Sequence, residues 1–179
     1  MIVVISMKMF LLILFVSTLL VVFPQSARAD FEDGQAVPAT VIAPLMAWVE
    51  AQVGVKVPAL PQVITSKTRL ADIVSRMGRS AARAKALYVS GFVVLDHRYF
   101  DTEDETEMSL LVHELVHYAQ SFKRQSVWSC AQAKEVEAYT IQNKWLEDQG
   151  HSPFVRASWI DRMAACPTST SSVAVARAD

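Results

Sequence analysis

The chain has 179 residues, with 18 acidic and 17 basic side chains and a formal net charge of −1. This length predicts a single domain. The sequence contains no basic block, which argues against a nucleic acid or an anionic membrane surface as the partner.

The first 29 residues have the pattern of a secretory signal peptide. Lys8 provides the basic start, residues 10–23 are almost entirely apolar, and Ala27-Arg28-Ala29 forms an A-x-A cleavage site. Cleavage there would export residues 30–179, to the periplasm or out of the cell, and their net charge would be −3 because only Lys8 and Arg28 are lost. An uncleaved membrane anchor is the alternative. The apolar stretch is short for a span, however, and no later segment is long and apolar enough to cross a bilayer.

Apolar periodicity, helix breakers and turn residues predict one domain over residues 30–167, followed by a disordered tail over 168–179. Residues 30–38 have the composition of a polar leader, and residues 79–85 that of a solvated basic loop. The predicted elements, in chain order, are a helix over 40–53, a short strand over 62–65, a helix over 68–77, strands over 86–89 and 92–95, a helix capped by Thr102 that runs to about Phe122, a helix over 131–148, and a last helix that begins at Ser152-Pro153.

The two neighbouring strands flank Ser90-Gly91 and therefore predict a β-hairpin with a two-residue turn. An exposed hairpin edge can pair with an extended peptide, which is one way in which peptidases hold a substrate. A hairpin that only packs into the core is the alternative.

Both cysteines, Cys130 and Cys166, fall in the part that would be exported. An exported chain meets an oxidising compartment, so a Cys130–Cys166 disulfide is predicted. The alternative is that both are metal ligands, but neither has a second Cys or a His at ligand spacing.

The most informative pattern is His113-Glu114-Leu115-Val116-His117, an H-E-x-x-H motif inside an apolar stretch that predicts a helix. Residues four apart lie one above the other on a helix, so the two imidazoles can bind one metal ion. Glu114 projects about 100° round the helix from His113, where it can act as a general base. The large apolar residues of the helix gather on the face opposite the histidines: Met108, Leu111, Leu115, Ala119 and Phe122. Two satisfied core histidines are therefore a poor explanation of the pattern.

A catalytic zinc ion usually takes three protein ligands and leaves a fourth position open. The metzincin continuation is excluded, because Gln120 and Lys123 occupy the places of its Gly and its third His. Two candidates for a third ligand lie on the next helix. Glu135 shares a face with Ala138 and other core-type residues, whereas Glu137 lies about 200° away, toward water. A carboxylate on a buried face needs a cation, so Glu135 is the predicted ligand; a salt bridge from Glu135 to Arg or Lys is the alternative.

The pattern His113-Glu114-x-x-His117 followed by Glu135-x-x-Ala138-Tyr139 resembles the gluzincin branch of the zinc metallopeptidases, and within it small secreted bacterial members of uncharacterised function. The resemblance covers about residues 88–146. It implies a zincin-like α+β fold, with a small β-hairpin or sheet packed on the H-E-x-x-H helix and the following glutamate helix. It also implies one Zn²⁺ per chain, held by His113, His117 and Glu135, with Glu114 as the general base. Tyr139 stands where better-known members carry an Asp that orients the first His.

Taken together, these patterns predict an exported zinc-dependent metallopeptidase that acts on a peptide or protein. Tyr139 is the first candidate to stabilise the oxyanion, and a packed aromatic residue is the alternative for it. Three other residues are weaker candidates for that role: Tyr88, Tyr118 and His151. His97 is predicted to be a surface histidine. Other functions stay open: a zinc hydrolase of a non-peptide amide or ester, a zinc protein without turnover, and a metal-free binding module of the cell envelope.

Overall fold

A computed structural model describes residues 31–124 and 128–166 of the chain. The fold is mixed α+β, as predicted, with a small sheet and helices on both of its faces. The strands are β1 (Gln35–Ala36), β2 (Gln62–Thr65), β3 (Ala86–Val89) and β4 (Phe92–Leu95). The helices are α1 (Ala39–Val53), α2 (Lys67–Arg76), α3 (Glu105–Gln120), α4 (Ala131–Asp148) and α5 (Ala157–Ala164), and short 3-10 turns span Ala81–Arg83 and His97–Tyr99. The predicted signal peptide and tail lie outside the described residues.

The four strands follow the order β1-β2-β4-β3, so β3 lies at an edge of the sheet. β2 runs parallel to β4, while β1 and β3 are antiparallel to their neighbours. The predicted hairpin is confirmed, and its turn residues Ser90 and Gly91 have φ angles of 44° and 94°. Positive φ at both positions matches the right-handed twist of the flanking strands. The short strand β1 was not predicted, because it falls in the polar segment 30–38.

Helix α3 lies at the centre of the core. It packs against α1, α4 and the β3–β4 hairpin. Successive side chains of β4 point to opposite faces of the sheet and pack into two hydrophobic clusters. Val93 and Leu95 face the α3 side, while Val94 packs against α2. The apolar residues of α3 that are 0% exposed are Leu111, Val112, Leu115, Val116 and Ala119. Four of its polar side chains are buried as well: Ser109, His113, Glu114 and Gln120. They lie where α3 meets α4 and β3, and the candidate site is found there.

The predicted start of α3 is wrong by two residues. Asp104, and not Thr102, caps the helix, and its Oδ1 accepts a hydrogen bond of 3.0 Å from the amide of Glu107. Asp101 accounts for the shift, because its Oδ1 accepts from the amide of Glu103 and holds the chain in a turn before the helix begins. At the other end α3 stops at Gln120, so Phe122 is not part of the buried face and is 43% exposed.

The predicted start of the last helix is also wrong. Helix α5 begins at Ala157, after an irregular segment that includes Ser152-Pro153. Asn143 on α4 holds this segment through two hydrogen bonds to the backbone of Val155, at 2.8 Å and 3.1 Å. A backbone that is anchored to a neighbouring helix in this way is not available to begin a helix of its own.

The predicted disulfide is confirmed, since Cys130 and Cys166 are bonded. Cys130 immediately precedes α4, and Cys166 follows α5, so the bond ties the two helices together at one end. Among the described residues, no helix is both long and apolar enough to cross a membrane.

Candidate metal centre

Three side chains from two helices converge on one point. The Nε2 atoms of His113 and His117 lie 3.1 Å apart, and each lies 3.4 Å from Oε2 of Glu135. Ligand atoms on a tetrahedral zinc ion, at bond lengths of about 2.0–2.1 Å, stand about 3.3–3.4 Å apart. The three predicted ligands therefore form a group of the right size and chemistry to hold a metal ion.

A buried glutamine determines which nitrogen of His117 carries a proton. The Nδ1 atom of His117 lies 2.9 Å from Oε1 of Gln120, which is 1% exposed. The amide nitrogen of Gln120 donates to the carbonyl oxygen of Lys134 and to Oε2 of Glu137, both at 2.9 Å. Both of those atoms accept only, so the amide cannot be turned round. Gln120 must therefore accept from a protonated Nδ1, which leaves the lone pair of the neutral ring on Nε2.

A second glutamine orients His113 in the same way. The Nδ1 atom of His113 lies 3.1 Å from Oε1 of Gln142, whose Nε2 donates to the Ser109 hydroxyl at 2.9 Å. That hydroxyl donates in turn to the carbonyl oxygen of Thr106 at 2.7 Å. Because the hydroxyl proton is already committed, Ser109 accepts from the amide, and Oε1 of Gln142 faces a protonated Nδ1. Both neutral rings thus present an Nε2 lone pair to the same point.

Two lone pairs that face each other at this distance need a cation between them. The carboxylate of Glu135 favours one as well. Burial opposes the charged form of His117, yet the hydrogen bond to Glu135 and the charges of Glu114 and Glu135 raise its pKa to about 9. Burial likewise opposes the charged form of Glu135, but hydrogen bonds to both histidines hold its pKa well below the usual range. Without a metal a proton fills this role, and a divalent ion can replace it.

The structure brings Glu135 to the histidines and keeps Glu137 away from them, as predicted. The prediction that Glu135 is buried and Glu137 faces water, however, is wrong. The side chain of Glu135 is 42% exposed, whereas that of Glu137 is 27% exposed and pairs with Lys123 at 2.7 Å. Glu137 does not face water, because the end of α3 covers it. It supports the centre indirectly, through the hydrogen bond that it accepts from Gln120.

Glu114 is 8% exposed, and its side chain extends from α3 to the edge strand β3. Its Oε2 accepts a hydrogen bond of 2.6 Å from the backbone amide of Tyr88 on β3. Glu114 lines the same cavities as His113, so its carboxylate is both anchored and open to a ligand.

Tyr139 packs its ring against His113, with the centroids 4.3 Å apart, and also contacts Phe154 and Trp159. Burial and the charges of Glu135 and Glu114 raise the pKa of its hydroxyl, so it stays protonated at neutral pH. Tyr139 contacts the ring of His113, whereas Gln142, one turn further along α4, is hydrogen-bonded to the Nδ1 atom of that ring.

The other aromatic and histidine candidates are placed less favourably. The hydroxyl of Tyr118 donates to the carbonyl oxygen of Ala59 at 2.7 Å, which is a structural role. His151 lies near Glu105, at the opposite end of α3 from His117 and outside the cavities that border the centre. The side chain of Tyr88 lines the larger of these cavities. His97 is partly buried beside Asp33, away from the site.

Two cavities border the candidate metal centre, with volumes of about 310 Å³ and 490 Å³. They share six lining residues and together form a cleft along the free edge of β3: Arg79, Ala86, Leu87, His113, Glu114 and Tyr139. The smaller cavity continues along the loop 79–85, and the larger one reaches His117 and Glu135.

Residues 35–171 match the model of a family described as "Domain of unknown function (DUF6647)". The chain belongs to this family. A comparison with curated proteins finds no match, and a comparison with solved structures finds none. The family description assigns no activity, so the function has to be argued from the site.

The sequence patterns did not predict a role for two residues of the candidate site. Gln120 and Gln142 hold the rings of His117 and His113, but no motif identifies them. A helical signal was present for both, because Gln120 lies three residues after His117 and Gln142 lies seven residues after Glu135, on the same helix faces. An amide at such a position becomes informative only once the packing of α3 on α4 is known.

Proposed function

We propose that the chain is an exported zinc-dependent hydrolase of peptide bonds, with a zincin-like arrangement of α3, α4 and the edge of β3. In this proposal His113, His117 and Glu135 hold one zinc ion, and Glu114 is the general base. The observation that carries the proposal is the convergence of two Nε2 atoms and one carboxylate oxygen within 3.4 Å, while both Nδ1 atoms are bonded to glutamine oxygens. The disulfide supports export, since such bonds persist in oxidising compartments.

The donor set favours zinc over other common ions. Two imidazoles and one carboxylate match the catalytic His₂Glu set of zinc hydrolases, whereas Mg²⁺ and Ca²⁺ prefer oxygen ligands alone. A zinc ion held by three protein ligands would keep one coordination position for water or substrate. Zinc bound there would supply a Lewis acid and would lower the pKa of water enough for attack at neutral pH.

The remaining steps belong to residues of the chain. Glu114 is held by the amide of Tyr88 through Oε2, so its other oxygen is the one that takes a proton from the attacking water and passes it to the leaving nitrogen. Tyr139 keeps its phenolic proton, so its hydroxyl can donate a hydrogen bond to the oxyanion that develops on the substrate. Gln120 and Gln142 keep both histidine rings in the metal-binding tautomer.

The free edge of β3 supports a peptide as the substrate. In a hairpin with a two-residue turn, the residues next to the turn exchange both hydrogen bonds, so Tyr88 and Ala86 direct their amides and carbonyls away from β4. The bond from the amide of Tyr88 to Glu114 agrees with this direction. An extended peptide can pair with the groups that remain, which would hold its scissile bond beside Glu114.

Metal analysis tests the proposal most directly. The exported chain, purified without chelators, should contain about one zinc per chain by mass spectrometry. Glu135→Ala should lose or weaken it, while Glu147→Ala, an exposed residue of the same helix, should keep it. Glu137→Ala is no neutral control, because it removes a partner of Gln120.

Turnover is tested separately with mixed peptide libraries. Glu114→Gln should keep the zinc and abolish cleavage. If the chain binds zinc but cleaves no peptide, the proposed metal site is supported and the proposed peptidase activity is refuted. No zinc in the wild-type chain would contradict the whole proposal.

A further inference from the structure

We propose that the smaller cavity is a carboxylate-binding subsite, in which Arg79 and Arg83 recognise an acidic group of the substrate. This inference rests on the proposed function and adds a substrate class to it: peptides that carry a carboxylate on one side of the scissile bond.

The two arginines border the metal centre. Both line the 310 Å³ cavity together with His113 and Glu114. Arg79 also lines the 490 Å³ cavity that reaches Glu135, so it lies where the two halves of the cleft meet. A substrate that extends into the smaller cavity therefore comes close to both arginines.

Among the residues that the structure describes, neither arginine has a polar partner for its side chain. Within residues 31–124 and 128–166, no hydrogen bond or ion pair involves the guanidinium of Arg79 or Arg83. Arg76 and Arg98, which lie close by in sequence, both pair with carboxylates, at 2.9 Å and 2.6 Å. An unpaired guanidinium at the wall of a cavity can form a two-pronged bond to a carboxylate that enters.

The cleft is positively charged although the chain as a whole is not. Its lining contains four basic residues: Arg79, Arg83, Lys85 and Lys134. The acidic residues of the lining are Glu114 and Glu135, and both are committed to the metal centre or the sheet edge. The full chain carries a net charge of −1, so the cleft has the opposite sign. A concave site of this kind concentrates anionic ligands.

Backbone bonds at both ends hold the loop that carries the arginines. Gly78, with a φ angle of 68°, ends α2, and the amide of Arg79 donates to the carbonyl of Val74 at 3.1 Å. At the other end the amide of Asp96 donates to the carbonyl of Lys85 at 2.7 Å. These bonds fix the backbone at both ends of the loop beside the cavity, while the exposed side chains of Arg79 and Arg83 are free to turn toward a ligand.

A peptide can supply a carboxylate from an Asp or Glu side chain or from its own C-terminus. Three fluorescent octapeptide libraries separate the two sources. One has Glu fixed at a single position and an amidated C-terminus, the second has Gln at that position and the same amide, and the third has Gln and a free C-terminus. Binding is measured by anisotropy to zinc-loaded Glu114→Gln, so that no library is consumed.

We expect the Glu library to bind more tightly than the Gln library. Each of Arg79→Gln and Arg83→Gln should weaken the Glu library about two- to fivefold, a range typical of exposed charge pairs, and added salt should reduce the preference. Arg83→Lys should restore part of it. Arg76→Gln is the matched control, because Arg76 pairs with Asp72 and does not line the cleft. It should change nothing.

A preference for the free C-terminus would support the subsite and make peptide ends the substrate. Equal binding of all three libraries, absence of binding, or a preference that survives loss of both arginines would overturn the inference. Failure of the proposed function shows differently. If acidic peptides bind through the arginines but the wild-type chain cleaves none of them, the subsite is supported and the peptidase activity is refuted. If the wild-type chain cleaves the Gln library at the same rate as the Glu library, the peptidase activity is supported and the subsite is refuted.

Discussion

Gln120 and Gln142 hold the two histidines, and replacing each of them by Glu should weaken zinc binding to different extents. Gln142→Glu places an oxygen where the amide nitrogen now donates to Ser109 Oγ at 2.9 Å. A hydroxyl can both donate and accept, so Ser109 can turn and donate to the new oxygen. The carboxylate still accepts from Nδ1 of His113. We therefore expect zinc affinity to fall by less than about tenfold, the lower limit for the loss of such a partner.

Gln120→Glu cannot adjust in this way. It places a carboxylate oxygen about where the amide nitrogen now lies, 2.9 Å from the Lys134 carbonyl and from Oε2 of Glu137. Neither atom can donate, and Lys123 already pairs with Glu137 at 2.7 Å. Repulsion should displace residue 120 and release the ring of His117. Loss of such a partner costs about 10- to 100-fold in metal affinity, or about 1.4–2.7 kcal/mol.

Competition with a chromophoric zinc chelator at neutral pH measures both affinities, and circular dichroism shows whether each variant is folded. The double variant Gln120→Glu with Glu137→Gln restores a donor beside the new carboxylate and should recover most of the affinity. Glu147→Gln serves as the control for a change of charge on α4. Equal losses at the two glutamines, or no recovery in the double variant, would refute the reasoning about tautomers.

Three further outcomes are expected. The metal-free chain should be most stable against urea between about pH 4.5 and 6.5. The pKa of His117 is raised to about 9, so its contribution to stability is lost as the pH rises from 6.5 through 9. The pKa of Glu135 is lowered from 4.5, so its contribution is lost at acidic pH. A stability that stays constant both below about pH 4.5 and from about pH 6.5 to 9 would contradict the ion pair. Replacing Cys130 and Cys166 by Ser opens a loop with a sequence separation of 36 and should cost up to about 4 kcal/mol in urea unfolding, whereas an unchanged midpoint would mean that the bond does not constrain the unfolded chain. Tyr139→Phe should lower kcat about 100-fold with little change in KM, and a KM effect alone would leave the residue only a packing role.

Elements that depend on a few neighbouring residues could be predicted from the sequence. Ser90-Gly91 between two apolar runs defined the hairpin, and the H-E-x-x-H spacing placed both histidines on one face of α3. The start of α5 could not be predicted, because Asn143 determines it from 12 residues away, across a helix interface. No local pattern around Ser152-Pro153 reports such a contact.

For the proposed metal ligands and the residues that contact them, too, the sequence predicted some features and not others. Helical periodicity separated Glu135 from Glu137 correctly, because the two project in different directions whatever lies around them. It could not tell which of the two is covered. Glu137 is the less exposed because Gln120 and Lys123, at the end of α3, pack over it. A wheel drawn for one helix contains no information about its neighbour, so the exposure of these residues had to come from the fold.

Because of the polar layer between α3 and α4, we expect the stability of the chain to depend on the proposed zinc ion. Both Nδ1 atoms and both glutamine amides have partners, so the two Nε2 atoms are the groups that a cation, either a proton or a metal ion, would bridge. A buried polar cluster that lacks one member destabilises a fold, whereas a complete one does not. Zinc at 100 times its dissociation constant should therefore raise the free energy of unfolding by about 2.7 kcal/mol, measured by urea titration. Glu135→Ala should show a much smaller gain at the same concentration. Equal gains in the two chains would place the ion outside the polar layer, and no gain in wild type would mean that the unfolded chain binds zinc equally well.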